Sequence, residues 1–154
     1  MDKPFGAAVV GLGVGRSHAA AYASLPESAL VAVCDTNPER LGPVAEHYAA
    51  AASASVDALL RDERVEVISI ATPHPTHAAL AIQAMEAGRH VIVEKPMAVD
   101  LREADAMIAC AQRAGRTLAR ILQHAVAPLL QTGKKVIACK TRAFCISPTW
   151  TGSA

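Results

Sequence analysis

The sequence predicts an α/β fold, a doubly wound parallel sheet with helices on both faces, and three observations carry that prediction. Its strand candidates are near-continuous apolar runs, "AAVVG", "ALVAVCD", "VEVISIA" and "HVIVEK", rather than alternating ones. Such runs belong to strands buried on both faces, as in parallel sheets. Helical stretches separate the runs, which is the β-α-β order that right-handed crossovers turn into a doubly wound sheet. The first run ends in a glycine-rich turn, Gly11, Gly13 and Gly15, that opens directly into a helix.

Taken in order, residues 5–11 read as the first buried strand and 15–24 as a helix stopped by Leu25-Pro26. Residues 29–35 form the second strand. Asn37-Pro38 starts a helix to about Ala50, with Pro43 placed to kink or delay it. A short strand is expected around 52–54 and a short helix from Ser55 or Val56 to Arg61. The run 65–71 is a strong strand. Pro75 suits the first turn of a helix that reaches Ala87 and stops at Gly88. Residues 90–95 are another strand. Asp100 and Glu103 make a D-x-x-E capping pair, after which Leu101, Ala104, Ile108 and Ala111 are expected to line the buried face of a helix up to Gly115. Residues 117–121 close the series as a last strand.

The 154 residues fit one domain with a sizeable core; 52% are hydrophobic and 3% aromatic, which excludes disorder. A net charge of +1 gives no support for nucleic acid as a main partner, and no apolar run approaches a membrane span. The N-terminus has no signal-peptide pattern, so a cytoplasmic location is expected. Cys34, Cys110, Cys139 and Cys145 lack metal-like or C-x-x-C spacing and are assigned no chemistry.

Charge is unevenly spread. All 14 acidic residues lie at or before Asp105, while residues 106–154 hold seven Lys or Arg and no acid. A domain over 4–119 is therefore distinguished from an atypical basic tail over 120–154, whose weak periodicity has two readings. It is a basic extension that packs on the domain or frays, or it is a stretch translated from a shifted frame and never selected to pack. Within it, Val136 to Cys139 could add an edge strand.

The chemistry sits in the turns at the carboxyl ends of the strands, where doubly wound sheets bind ligands. Gly11 and Gly13 let the backbone bend tightly and approach a pyrophosphate, whose charge faces amides and a helix N-terminus. Asp35 ends the second strand, 24 residues beyond Gly11, where a carboxylate accepts from adenosine ribose hydroxyls or simply meets solvent. That carboxylate repels a 2′-phosphate, which favours NAD over NADP, although Arg40 could reach the phosphate instead. Thr72 contacts the cofactor or caps a helix. Lys95 places an ammonium where it can bind a substrate hydroxyl or help move its proton, unless it is a surface lysine. A Lys95-Pro96 bond can be cis and fix a sharp turn. His74 and His77 are too few for a metal site and are expected to cap the helix or contact solvent.

"GLGVGRSH", "CDTNPER", "ATPHPTHAALAIQAMEAGRHVIVEKPMAVDLREADAMI" and "AGRTLA" together resemble the N-terminal domain of the Gfo/Idh/MocA oxidoreductases, the glucose-fructose oxidoreductase and inositol dehydrogenase-like enzymes, over about residues 4–119. The resemblance implies a Rossmann-type domain and hydride transfer between a nicotinamide cofactor and a polyol, sugar or related carbonyl compound. It implies that Gly11, Gly13, Val14 and Gly15 bind pyrophosphate and Asp35 the ribose, and that Thr72, Pro73 and His77 form a cofactor turn. Glu94, Lys95 and Pro96 match the family's E-K-P block, with Lys95 as the catalytic residue. The family's glycine turn often reads G-x-G-x-x-G-x-x-H; deleting one residue after Gly13 brings Gly15 and His18 into register.

The family continues into a second, mostly antiparallel α+β domain that covers the nicotinamide and holds substrate, and the resemblance stops before it. The sequence therefore predicts a dinucleotide-binding half, catalytically incompetent alone, that meets a sugar or polyol only if a second domain is supplied. The alternative is a stand-alone nucleotide-binding or redox-sensing module that works through dimerisation or a partner chain. Self-association through uncovered apolar surface suits either reading.

Overall fold

In the computed structural model, residues 3–121 are described. They form six parallel strands and five α-helices: β1 (Phe5–Val10), α1 (Gly15–Ser24), β2 (Ser28–Cys34), α2 (Pro38–Tyr48), β3 (Ala51–Ser53), α3 (Val56–Arg61), β4 (Val67–Ile70), α4 (His77–Glu86), β5 (His90–Val93), α5 (Leu101–Ala114) and β6 (Leu118–Arg120). A 3-10 turn, His74–Thr76, leads into α4. The sheet order is β3-β2-β1-β4-β5-β6 with every pairing parallel. The chain winds outward from β1 to β3, then returns to β4 and winds the other way. The reversal lies between β1 and β4.

Side-chain alternation along the strands separates two cores. Ala7, Val9 and Val33 pack with Leu12, Ala19, Tyr22, Val44 and Ala45 under α1 and α2. Ala8, Val10, Ile68, Ile70, Val91 and Val93 pack with Leu59, Ala81, Met85 and Met107 under α3, α4 and α5. Tyr22 reaches across to Ser69, its hydroxyl 2.9 Å from Oγ, and burial raises the phenol's pKa despite that bond. Small residues let the helices approach closely: Ala78, Ala81 and Ala84 lie on the buried face of α4, with His77 and Met85.

Local signals behave as the sequence implies at most boundaries. The Asn37 side chain accepts from Glu39 N (2.8 Å) to start α2, and Asp100 accepts from Glu103 N (2.8 Å) to start α5. The Glu103 carboxylate returns to Val99 N (3.2 Å), closing the capping pair. Gly88 and Gly115 follow α4 and α5 with φ of +81° and +63°. The Lys95-Pro96 bond is cis.

Two expectations need correction. Pro43 does not delay α2, which runs through it from Pro38, with buried Val44 and Ala45 holding the following turn to the sheet. The buried face of α5 is rotated from the one expected: Met107 and Cys110 are buried, while Leu101 is 83% exposed and Ile108 40% exposed. Of the expected stripe, Ala111 still packs against the core and Ala104 is half-buried, while Leu101 and Ile108 face outward. β6 falls within the last strand expected over 117–121, and just beyond it Ile121 N donates to Val93 O (3.0 Å).

Cys34 and Cys110 are free and buried. Burial, with the Asp35 charge beside it, pushes the Cys34 thiol up to about 11, so it serves as apolar filler at the end of β2. The Val136–Cys139 strand and both readings of the tail concern residues outside those described, as do Cys139 and Cys145. No described helix is long and apolar enough to cross a membrane.

Candidate functional site

The crevice opens where β1 and β4 part, at the reversal of winding, and its floor is built from three strand-to-helix turns. The glycine turn after β1 is pinned on both sides. Gly11 N donates to Cys34 O (2.8 Å) and Ala71 N donates to Val10 O (2.8 Å), so β2 and β4 hold the turn between them.

The three glycines have different physical reasons. Gly11 has φ of +88°, and a Cβ there would lie 2.6 Å from the Ala71 carbonyl oxygen. Only glycine makes that bend against the β4 turn. A Cβ on Gly15 would lie 2.8 Å from Val9 Cγ1 and 3.2 Å from Ala71 Cβ, so Gly15 lets α1 settle onto the sheet. Gly13 is different: the nearest atom to a Cβ there is Arg40 Nη1, at 3.9 Å. No packing among the described residues demands glycine at 13. Its bare backbone faces open crevice, the arrangement that lets a pyrophosphate approach. Val14, 59% exposed, precedes α1 without a side-chain cap bond. The orphan amides of the first helical turn are thus left facing the crevice.

Asp35 is buried and braces this turn. Its Oδ2 accepts from Leu12 N at 2.7 Å and its Oδ1 from Asn37 N at 2.8 Å. Arg40 Nη1 stands 3.8 Å from Oδ2. The carboxylate is not the solvated loop acid that the sequence left as one option. Both carboxylate oxygens are engaged by backbone amides, and a guanidinium stands beside Oδ2.

On the far side, Ala71, Thr72, His74, Glu94 and Lys95 line, with Val14, a cavity of about 240 Å³. Thr72 does not cap α4. Its Oγ1 lies 2.7 Å from Thr76 Oγ1, which itself donates to Pro73 O (2.7 Å). With the Thr76 proton committed, Thr72 donates to Thr76 and keeps acceptor lone pairs for the cavity. Lys95 and Pro96 are exposed.

His77 overturns the expectation of a cap or solvent contact. It is fully buried, Nδ1 lying 2.8 Å from Pro96 O and Nε2 2.8 Å from Thr72 O. The ring straps the two turns together beneath the cavity. His74 remains exposed at the rim. His18, which the sequence placed only in register, lies 3.1 Å through Nε2 from Glu94 Oε1, and Glu94 Oε2 accepts from Lys95 N at 2.9 Å. The sequence carried one signal for that contact, the glycine turn's third-residue spacing to His18, but not its partner, 76 positions away. Among the described residues no group of three or more His, Cys, Asp or Glu could hold a metal ion.

Comparison with known proteins places the fold in a family. Residues 5–121 match the sequence model of the oxidoreductase family with an NAD-binding Rossmann fold, GFO_IDH_MocA. UDP-N-acetylglucosamine 3-dehydrogenase of Acidithiobacillus ferrooxidans is 46% identical over 112 residues, 72% of this chain and 34% of that protein. The WlbA dehydrogenase from Chromobacterium violaceum, solved with NADH and UDP-GlcNAcA, superposes with a TM-score of 0.80 at 29% identity, over 86% of this chain and 39% of that one. KijD10 from Actinomadura kijaniata, a 3-ketoreductase solved with NADP, shares the fold with a TM-score of 0.77 at 23% identity, over 84% and 42%. The chain spans about a third of the length of the curated relative.

Proposed function

This chain belongs to the Gfo/Idh/MocA oxidoreductase family, whose NAD-binding Rossmann fold it carries over residues 5–121, and we propose that it binds a nicotinamide dinucleotide across the β1–β4 crevice as the cofactor half of an oxidoreductase acting on a sugar, polyol or related carbonyl compound. The observation that carries this reading is the contrast among the glycines. Gly11 and Gly15 are explained by packing, whereas at Gly13, in the same turn, a Cβ would meet no described atom closer than Arg40 Nη1 at 3.9 Å.

In this reading Gly11, Gly13, Val14 and Gly15 present backbone to the pyrophosphate, with the α1 N-terminus supplying positive potential. Asp35 and Arg40 meet the adenosine ribose. The carboxylate favours the free hydroxyls of NAD, and the guanidinium 3.8 Å away offers a partner to a 2′-phosphate, so both dinucleotides enter. Relatives of this fold have been solved with each. Thr72 accepts from the nicotinamide half, and Pro73, His77, Glu94 and Pro96 shape its floor. When bound, the nicotinamide supplies a hydride donor or acceptor. The exposed Lys95 ammonium binds the substrate oxygen and holds or passes its proton.

What this site lacks among the described residues is a wall over Lys95. Without one, water is not excluded and substrate is not oriented, so hydride transfer by these residues alone is slow. Titration of the purified chain with NADH and NADPH, followed by fluorescence, tests the reading. Binding is expected with a Kd weaker than ~10 μM. Oxidation of sugars or polyols is expected to stay at background. No saturable binding of either dinucleotide removes the proposal, and turnover at an ordinary enzymatic rate removes its claim of incompetence.

A further inference from the structure

We infer that His18 is a positioning residue for Lys95, acting through the Glu94 carboxylate, and that it ties the nicotinamide end of the crevice to α1; the consequence for cofactor rests on the reading above. His18 lies on the fourth residue of α1, and its side chain is 9% exposed beside Glu94 at 8%. A carboxylate withdrawn from water to that extent needs hydrogen-bond donors on both oxygens. Glu94 has one on each: His18 Nε2–H toward Oε1 at 3.1 Å and Lys95 N–H toward Oε2 at 2.9 Å. The imidazole donates to Oε1 through Nε2 whether it is neutral in that tautomer or protonated.

This arrangement fixes the rotation of the carboxylate. With Oε1 anchored on α1, Oε2 is turned toward the Lys95 amide, and the backbone from which the lysine projects is held. On its other side the same segment is strapped by His77 at Pro96 O. Lys95 itself is exposed, so its aim over the cavity depends on its backbone rather than on packing of its side chain. Loss of His18 leaves one oxygen of a buried carboxylate without its donor. Glu94 then turns to recruit water, and the Lys95 amide loses its acceptor. The adenosine end is insulated from this change, because Leu12 and Asn37 are held by Asp35 instead.

The test is amide hydrogen exchange, read residue by residue by NMR, in the wild type, His18→Ala and the conservative His18→Gln. Exchange at Lys95 is expected to be at least ~5-fold faster in His18→Ala, with Leu12 within ~2-fold of wild type and the Lys95 rate largely restored in His18→Gln, whose amide keeps an N–H donor. Equal acceleration at Lys95 and Leu12, or none at Lys95, overturns the inference. A second readout follows the cofactor. NADH affinity is expected to fall ~5- to 10-fold in His18→Ala while ADP-ribose affinity stays within ~2-fold. Loss of both ligands in parallel counts against a positioning role. If the wild type binds neither ligand, the dinucleotide reading fails, and the exchange rates still decide the role of His18.

Discussion

On the β1–β2 side of the crevice a carboxylate braces backbone: Asp35 accepts from Leu12 N and Asn37 N, and two glycines are packed so tightly that a single methyl group would collide with Val9 or with the Ala71 carbonyl. On the β4–β5 side the braces are imidazoles: His77 spans Thr72 O and Pro96 O, and His18 holds Glu94. On the first side the backbone of the glycine turn is wedged against the β4 turn at Ala71 and braced by one carboxylate. On the second, His77 spans turns 5 and 19 positions away, and His18 reaches Glu94 76 positions away. The difference teaches where each side of the crevice gets its shape. The glycine side is set by close backbone packing, whereas the Lys95 side is set by side chains that reach between elements, and its lysine is exposed.

If close backbone packing shapes the glycine side, Gly11→Ala is the most damaging change to it. The new methyl meets a backbone carbonyl at 2.6 Å and the residue must hold φ near +88°. The expected loss is about 3 kcal/mol, from overpacking and left-handed strain together. Denaturant unfolding measures it, and a loss below about 1 kcal/mol would show that the turn can relax. On the opposite side, His77→Ala empties a fully buried site and removes the ring N–H available to one of the two carbonyls, Thr72 O or Pro96 O, and about 2 kcal/mol is expected by the same measurement. A neutral result would mean that water replaces the strap and that side chains do not shape this half.

Asp35→Ala strands the Leu12 and Asn37 amides, and about 1–2 kcal/mol is expected, with NADH and ADP-ribose weakened alike. Weakening of NADH alone would break the assignment of Asp35 to the adenosine side. Gly13→Ala sharpens the contrast among the glycines. Because a Cβ there meets nothing closer than 3.9 Å, stability is expected to change by less than about 0.5 kcal/mol while dinucleotide affinity drops. An unchanged affinity would move the pyrophosphate away from this backbone.

The smallest effect lies at the other end of β5 and serves as a control for both halves. Burial, then the neighbouring Arg116 charge, holds the His90 pKa below its ordinary 6.5, against a smaller opposing pull from Glu66. Its Nδ1 accepts from Thr117 N at 3.0 Å, a bond that protonation there removes. The unfolded chain therefore binds this proton more readily than the native one. Stability is present in full above pH 6.5 and is lost as pH falls from there through the lower native value. Acidification from pH 7.5 to 5 is expected to cost the wild type more than His90→Gln, with NADH binding at neutral pH equal in the two. Identical pH dependence in the two proteins would assign the acid sensitivity elsewhere.

Much of this fold was legible residue by residue. Continuous apolar runs marked β1, β2, β4 and β5, and Asn37, Asp100, Gly88 and Gly115 marked helix ends through bonds made within a few residues. The side faced by α5 was not legible. Leu101, Ala104, Ile108 and Ala111 form one stripe by spacing, yet Met107 and Cys110 form another nearby, and only the positions of α4 and β6 decide between them. Pro43 was weighed by its local cost, while burial of Val44 and Ala45 outweighed it. At the site, Gly11, Asp35 and Lys95 were each visible as a residue at a strand end. The burial of Asp35 was not, nor was the placement of His77 and His18.

By itself the sequence determined the strand and helix order, the glycine turn at the head of the first crossover, and thereby the end of the sheet at which a ligand binds. These rest on interactions that span a turn or two of chain, and local chemistry encodes them. The tertiary structure alone decided which glycine stays bare, which helix face is covered, and that two histidines brace Glu94, Thr72 and Pro96. Each of those outcomes is a contact between elements brought together by winding the sheet, and the hydrophobic effect that drives the winding does not record, in any one segment, which distant partner that segment will meet.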